Sequence, residues 1–236
     1  MTRIPHGAPV HRRLDNPTLT ATMPPIDVPM SMYAENRQKL CARLQKKLVS
    51  TDYKRAMVLM EGGKEEYRHE SDTEKVFRQE SSFAYLFGVK EPGFYGTIEV
   101  ESGRTTLYMP RLPPEYAVWM GKIQPPSYFK DLYEVDEVMF VDELPKELVG
   151  GEEEEEEGGK GGKGKPDVLL LNQGLNTDSG NMAKPAFVEG VTMTEKAKEG
   201  GKEGGGVVCD YEMLYPELVE CRVFKSEAEL RVLQYV

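Results

Sequence analysis

Residues 95–109 read Tyr95-Gly96-Thr97-Ile98-Glu99-Val100-Glu101-Ser102-Gly103-Arg104-Thr105-Thr106-Leu107-Tyr108-Met109. Ile98 and Val100 precede a Glu-Ser-Gly turn, and Leu107 and Met109 follow it, so the stretch predicts a β-hairpin. Working outward, Ala56-Met57-Val58-Leu59-Met60 is a short apolar run closed by Gly62-Gly63, the pattern of a buried strand. Val138-Met139-Phe140-Val141 and Val168 to Leu171 supply two more candidate strands. Between them lie helical patterns. Ser31 is placed to cap a helix with Tyr33, Leu40, Leu44 and Leu48 near one face. Phe77 to Phe87 reads as a helix ended by Gly88, which takes a left-handed cap without a side-chain clash. Tyr116, Trp119, Met120 and Ile123 lie at helical spacing after Pro113-Pro114 and before Pro125-Pro126, and a further helix is predicted around Ser127 to Tyr133. Helices alternating with strands predict an α/β fold.

The chain has 236 residues, a formal net charge of −10 and 23 glycines. Twelve of those glycines fall in two tracts, Gly150 to Gly164 and Gly200 to Gly206, and the remainder has a globular composition. These Gly-, Glu- and Lys-rich tracts, at about 150–165 and 195–206, cannot bury enough apolar area to offset chain entropy. They are expected to be disordered insertions in one domain spanning 31–222. Residues 1–30 form an expected disordered arm interrupted by Pro5, Pro9, Pro17, Pro24, Pro25 and Pro29. Arg3, Arg12 and Arg13 there make a mitochondrial presequence the lesser reading, since the prolines oppose an amphipathic helix. A cytoplasmic protein is the leading one: Cys41, Cys209 and Cys221 are widely spaced and odd in number, which suits reduced thiols. No apolar run is long enough for a membrane span, and the acidic balance argues against nucleic acid as a partner.

Chemistry of its own is hard to place in this sequence. His6 and His11 lie in the arm and His69 in the charged run Glu65-Glu66-Tyr67-Arg68-His69-Glu70, which reads as a solvated loop. The six glutamates from Glu152 to Glu157 repel one another and lack the turn residues of a calcium loop. There is no phosphate loop of Walker spacing and no nucleophile elbow, and no histidine stands near a cysteine in sequence. A nuclease would need carboxylates on the central strands, where the candidates are apolar. Asn176-Thr177-Asp178-Ser179-Gly180 has the composition of a turn. Trp119 is the only Trp, and a lone Trp on an apolar helical face is ordinarily a packing residue.

Ser226 and Glu229 form the pattern of a capping box, and Leu230 and Leu233 then open an apolar face just before Val236. Residues 223–236 are therefore expected to be a linker and the first helix of a further domain, with the chain cut at its threshold. Phe77-Arg78-Gln79-Glu80-Ser81, Pro110-Arg111-Leu112-Pro113, Trp119-Met120-Gly121-Lys122-Ile123, Asn176 to Gly180 and Glu220-Cys221-Arg222-Val223-Phe224-Lys225 together resemble the N-terminal domain of eukaryotic prolidases. These are Xaa-Pro dipeptidases of the aminopeptidase P and creatinase family. The resemblance runs from about Tyr33 to Val236 and does not include the two tracts. It implies a mixed β-sheet flanked by helices with ribonuclease H-like topology, of the creatinase/aminopeptidase P N-terminal type, preceding a metallopeptidase domain that binds two manganese ions. The family's metal ligands, two Asp, one His and two Glu, belong to that later domain, so no catalytic residue, metal ligand or cofactor is assigned to this chain. It implies a homodimer, or a catalytic-domain partner, in which Trp119 helps wall the other subunit's dipeptide pocket. Arg111 matches the pattern as an exposed or salt-bridged structural residue. The expected role is non-catalytic: dimerisation and pocket formation in trans. The alternative is a stand-alone interaction or regulatory protein retaining the domain as a dimerisation surface.

If the tracts are insertions, deleting residues 151–164 or 200–205 leaves the thermal melting midpoint close to the parent's, because shortening a solvated loop changes closure entropy only slowly. A collapse of either variant in a melt would show a packed tract.

Overall fold

The computed structural model describes residues 26–150, 165–195 and 206–235, with the backbone alone for Trp119 and Met120. Most of the expected arm and of both tracts lies outside the described residues. Helix α1 (Met30–Leu48) is followed by β1 (Ala56–Glu61), α2 (Ser81–Phe87) and the hairpin β2 (Tyr95–Glu99) and β3 (Thr105–Met109). Next come α3 (Tyr116–Met120), α4 (Pro126–Tyr133), β4 (Glu137–Phe140) and α5 (Leu144–Val149). Strands β5 (Val168–Leu171), β6 (Gly174–Leu175), β7 (Met182–Ala183), β8 (Met193–Glu195) and β9 (Val207–Asp210) lead to α6 (Leu214–Cys221) and α7 (Glu227–Tyr235).

Among the described residues, seven strands form one sheet in the order β4-β3-β2-β1-β5-β9-β8. β2 pairs antiparallel with β1 and with β3, and the other neighbours are parallel, so the sheet is mixed. Val58 stands opposite both Ile98 and Leu170, which puts three branched side chains in one row across the centre. All four β5 side chains are buried. A run of apolar residues without alternation is what a strand covered on both faces requires.

Because successive side chains point to opposite faces, two cores follow from one sheet. Val58, Met60, Ile98, Leu107, Val168 and Leu170 pack under α1, α2, α4 and α6 with Leu40, Phe83, Phe129 and Leu218. Leu59, Tyr108, Leu169, Leu171 and Cys209 pack on the other face with Leu144 and Leu148 of α5 and with Val188 and Val191. The expected α/β class with a mixed sheet and flanking helices is what the structure has.

Several boundaries differ from the sequence reading for local reasons. Helix α1 begins at Met30 with Pro29 at its N-cap, and the Ser31 side chain makes no cap bond. Helix α2 begins at Ser81, not Phe77. Glu80 caps it by accepting the Phe83 N–H at 2.7 Å, while the Gln79 amide bridges Gly63 N–H to the carbonyls of Val89 and Glu91. Helix α3 stops at Gly121, whose φ is 79°. The capping box forms as read: Glu229 accepts the Ser226 N–H at 2.8 Å and Ser226 Oγ accepts the Glu229 N–H at 3.2 Å. Asn176 Oδ1 accepts the N–H groups of Asp178 and Ser179, so that stretch is a turn, joining β6 to β7.

Gly96 lies in β2 directly beneath the ring of Phe87, and a Cβ there would stand 2.5 Å from a ring carbon. Gly96→Ala is therefore expected to destabilise the domain by about 1–3 kcal/mol, the usual cost of overpacking. A urea midpoint unchanged in that variant would show that Phe87 moves aside freely.

Candidate functional site

A concavity of about 960 Å³ opens where five segments meet: the entry to α1, the loop after β1, the loop after α2, the loop around α3, and α4. Its lining is mainly aromatic and aliphatic, which is the usual character of a ligand groove.

Each wall is held by an identifiable contact. Gly88 terminates α2 in the left-handed region at φ 67°, and the Tyr33 ring lies where a Cβ would be, at 2.5 Å. The chain then turns so that the Lys90 N–H donates to Tyr133 Oη at 3.2 Å, while that hydroxyl donates to Glu91. Burial, and then the Glu91 charge, push the Tyr133 hydroxyl well above the usual phenol range, so it is a neutral donor at physiological pH. Phe129 stacks on Tyr133 at 6.4 Å and meets Phe94 edge-on at 5.4 Å, tying α4 to the loop after α2.

The wall from Pro110 to Gln124 carries the sequence-singled residues. Arg111 makes a two-pronged pair with Asp142, at 2.8 and 3.2 Å, and lies 3.7 Å over the Phe140 ring. It is half exposed and fixes the segment leaving β3 to the end of β4, the salt-bridged structural part expected of it. Trp119 sits on α3 between the exposed Val118 and Gly121, and Gly121, Lys122 and Ile123 line the groove. The Trp119 side chain lies outside the described residues.

The opposite rim is the loop after β1, where the charged run folds as a hairpin. Tyr67 pairs with Glu74, and Arg68 N–H to Thr73 and Lys75 N–H to Glu66 close the ladder at 2.8 Å each. His69 sits exposed at its tip with φ 49°. Glu65 lines the groove, and its carboxyl is pushed up to about 7, by burial first and by the Glu74 charge second. Sequence reasoning missed Glu65, Tyr133 and Glu91, since nothing in a stretch of alternating charges announces which side faces inward until its pairing partner is known.

No group of three or more His, Cys, Asp or Glu that could hold a metal ion occurs among the described residues. The three cysteines are free and buried. Burial pushes the thiols of Cys41 and Cys209 up to about 11, and that of Cys221 upward as well, the opposite of what a nucleophilic thiolate needs. No helix among the described residues is long and apolar enough to cross a membrane.

Comparison with known proteins places this arrangement. The family described as Aminopeptidase P, N-terminal domain matches residues 33–156. The Xaa-Pro dipeptidase of Homo sapiens is 41% identical over 210 residues, covering 89% of this chain and 37% of that protein. That of Mus musculus is 40% identical over the same coverage. The chain thus spans little more than a third of the length of these relatives. Among solved structures, the low-pH form of E. coli aminopeptidase P superposes with a TM-score of 0.55 at 17% identity, covering 89% of this chain and 42% of that one. Proline aminopeptidase P II from Yersinia pestis gives 0.54 at 19% identity, over 88% and 42%. These two share the fold. The shared fold, the matched family region and the identity to the dipeptidases agree, and the chain belongs to the aminopeptidase P N-terminal domain family.

Proposed function

We propose that this chain serves as the non-catalytic N-terminal domain of a prolidase-like, metal-dependent Xaa-Pro dipeptidase, and that it supports dimerisation and completes a dipeptide pocket in trans. The observation that carries the reading is the 41% identity to a Xaa-Pro dipeptidase across 89% of the chain. In this reading Trp119 is the substrate-contacting residue. Its support is position: α3 presents the exposed Val118 beside it, and the residues that follow it form a groove wall. Arg111, paired to Asp142 and Glu143, holds the strand-to-helix connection that carries α3. The two manganese ions, and the water they would activate, belong to a catalytic domain outside these residues. The described residues gather no ligand set for them. A cytoplasmic setting accords with the three free thiols.

Two outcomes test this. The chain alone, supplied with manganese, is expected to give no turnover of glycyl-proline and to retain no stoichiometric metal after dialysis. Turnover with bound metal would overturn the non-catalytic assignment. In a longer protein carrying the catalytic domain, Trp119→Ala is expected to lower kcat/KM while leaving metal content, dimerisation and melting midpoint near the parent's. A Trp packed in a core would instead cost about 3–5 kcal/mol of stability with activity per folded molecule intact.

A further inference from the structure

The hairpin at the groove's rim has two faces of different electrical character. Tyr67 and Glu74 are directly opposed, and the two flanking backbone bonds make them a non-hydrogen-bonded pair. Side chains alternate along each strand, so Glu66 and Lys75 share one face, and Glu65, Tyr67 and Glu74 share the other. The first face is solvated and neutralised, with Lys75 Nζ 2.8 Å from Glu66. The second holds two carboxylates in diagonal positions, within reach of each other for long side chains.

Among the described residues, no ion pair forms with Glu65 or Glu74. Lys64, next to Glu65, is held by Glu61 at 2.6 Å, and Lys75, next to Glu74, by Glu66 at 2.8 Å. Asp27, Lys90, Glu91 and Lys122 are the other charged groups around the groove, together with the hydroxyls of Tyr33, Tyr67, Tyr116, Tyr128 and Tyr133. None of them is among the causes that displace the Glu65 carboxyl. Glu74 Oε1 is buried and accepts no hydrogen bond. A buried acceptor left unmet beside a second half-buried carboxyl is a place for one proton, since a protonated carboxyl is a donor and an ionised one is not.

We propose that the hairpin of residues 65–76 is a proton-controlled strap on the groove, held against the domain by a proton on the inward-facing Glu65–Glu74 pair and loosened when that proton is lost. The closed strap binds the proton more tightly than an opened, solvated one, because Glu65 moves from an ordinary value of 4.5 to about 7 on closing. The closing equilibrium is therefore most favourable below about pH 4.5, weakens as pH rises to about 7, and levels off above that. The groove is more accessible at neutral than at mildly acidic pH. This inference concerns the rim of the groove and stands apart from any role of Trp119.

The test uses the whole chain and two readouts. Carboxyl-carbon NMR is expected to show Glu65 titrating near neutrality. Amide exchange is expected to show protection factors of the Arg68 and Lys75 N–H groups, corrected for intrinsic rates, falling by up to about a hundredfold between pH 5 and pH 7.5. In Glu65→Gln that fall disappears and the low-pH level persists at pH 7.5. In Glu74→Gln the Glu65 midpoint moves down. An ordinary carboxylate midpoint for Glu65 overturns the proposal, as does a protection factor independent of pH in the parent or a fall that survives in Glu65→Gln. If Glu65→Gln does not fold, the parent's midpoint and the Glu74→Gln shift decide.

Discussion

Arg37 of α1 is almost wholly buried, yet it carries a charge that costs several kcal/mol to remove from water unless it is met. Its guanidinium donates to the Leu86 carbonyl at 2.9 Å, and beside it Asn36 donates to the Tyr85 carbonyl at 2.9 Å. Those carbonyls belong to the last turn of α2, where helices leave acceptors unpaired and where the dipole favours a cation. Asp136 supplies further compensating charge, although burial still lowers the Arg37 value from its usual range. With α2 ended in this way, Gly88 can turn left-handed and send the chain to Lys90 and Glu91, which meet Tyr133. The groove wall at Lys90 and Glu91 thus follows from an α2 end that Gly88 turns and Arg37 binds.

The same helix performs this service again. Lys39 donates to the carbonyls of Cys221 and Phe224 at 2.6 and 2.9 Å, closing the end of α6. Arg43 and Lys47 flank the buried Glu217 at 2.7 and 3.4 Å. An amphipathic helix thus does more than bury Leu40 and Leu44. Its polar edge supplies donors to the last carbonyls of α2 and α6, and no local pattern within either of those helices reveals this.

That division explains what could be read in advance. Strands β1, β2, β3 and β5 were legible because alternation or an unbroken apolar run is a local signal, and the Ser226 capping box and the Gly88 cap were legible because their partners lie within four residues. The Phe77–Glu80 stretch was misread as helix because Gln79 is drawn into contacts with Gly63, Val89 and Glu91, two of them more than ten residues away. Strand β9 and helix α6 were not singled out at all: β9 has only four residues at the end of a glycine-rich tract, and α6 carries a proline at its third position. The groove itself was invisible, since it is assembled from five separated segments.

Glu217 and Glu65 show how differently one fold can treat a carboxylate taken from water. Glu217 joins α6 to α1 and is met by two cations, so only the removal of both would strand a buried charge at the junction of two helices. Glu65 and Glu74 sit on a two-stranded ribbon tied by a single bridge and two ladder bonds, with no ion pair to either among the described residues. A ribbon that short adds little to global stability, so an unpaired charge there perturbs local order without threatening the sheet. The neutralised carboxylate lies where two helices must hold together. The unneutralised pair lies where the groove meets solvent, and there a change of one proton can alter access while the α1-centred scaffold keeps the walls in place.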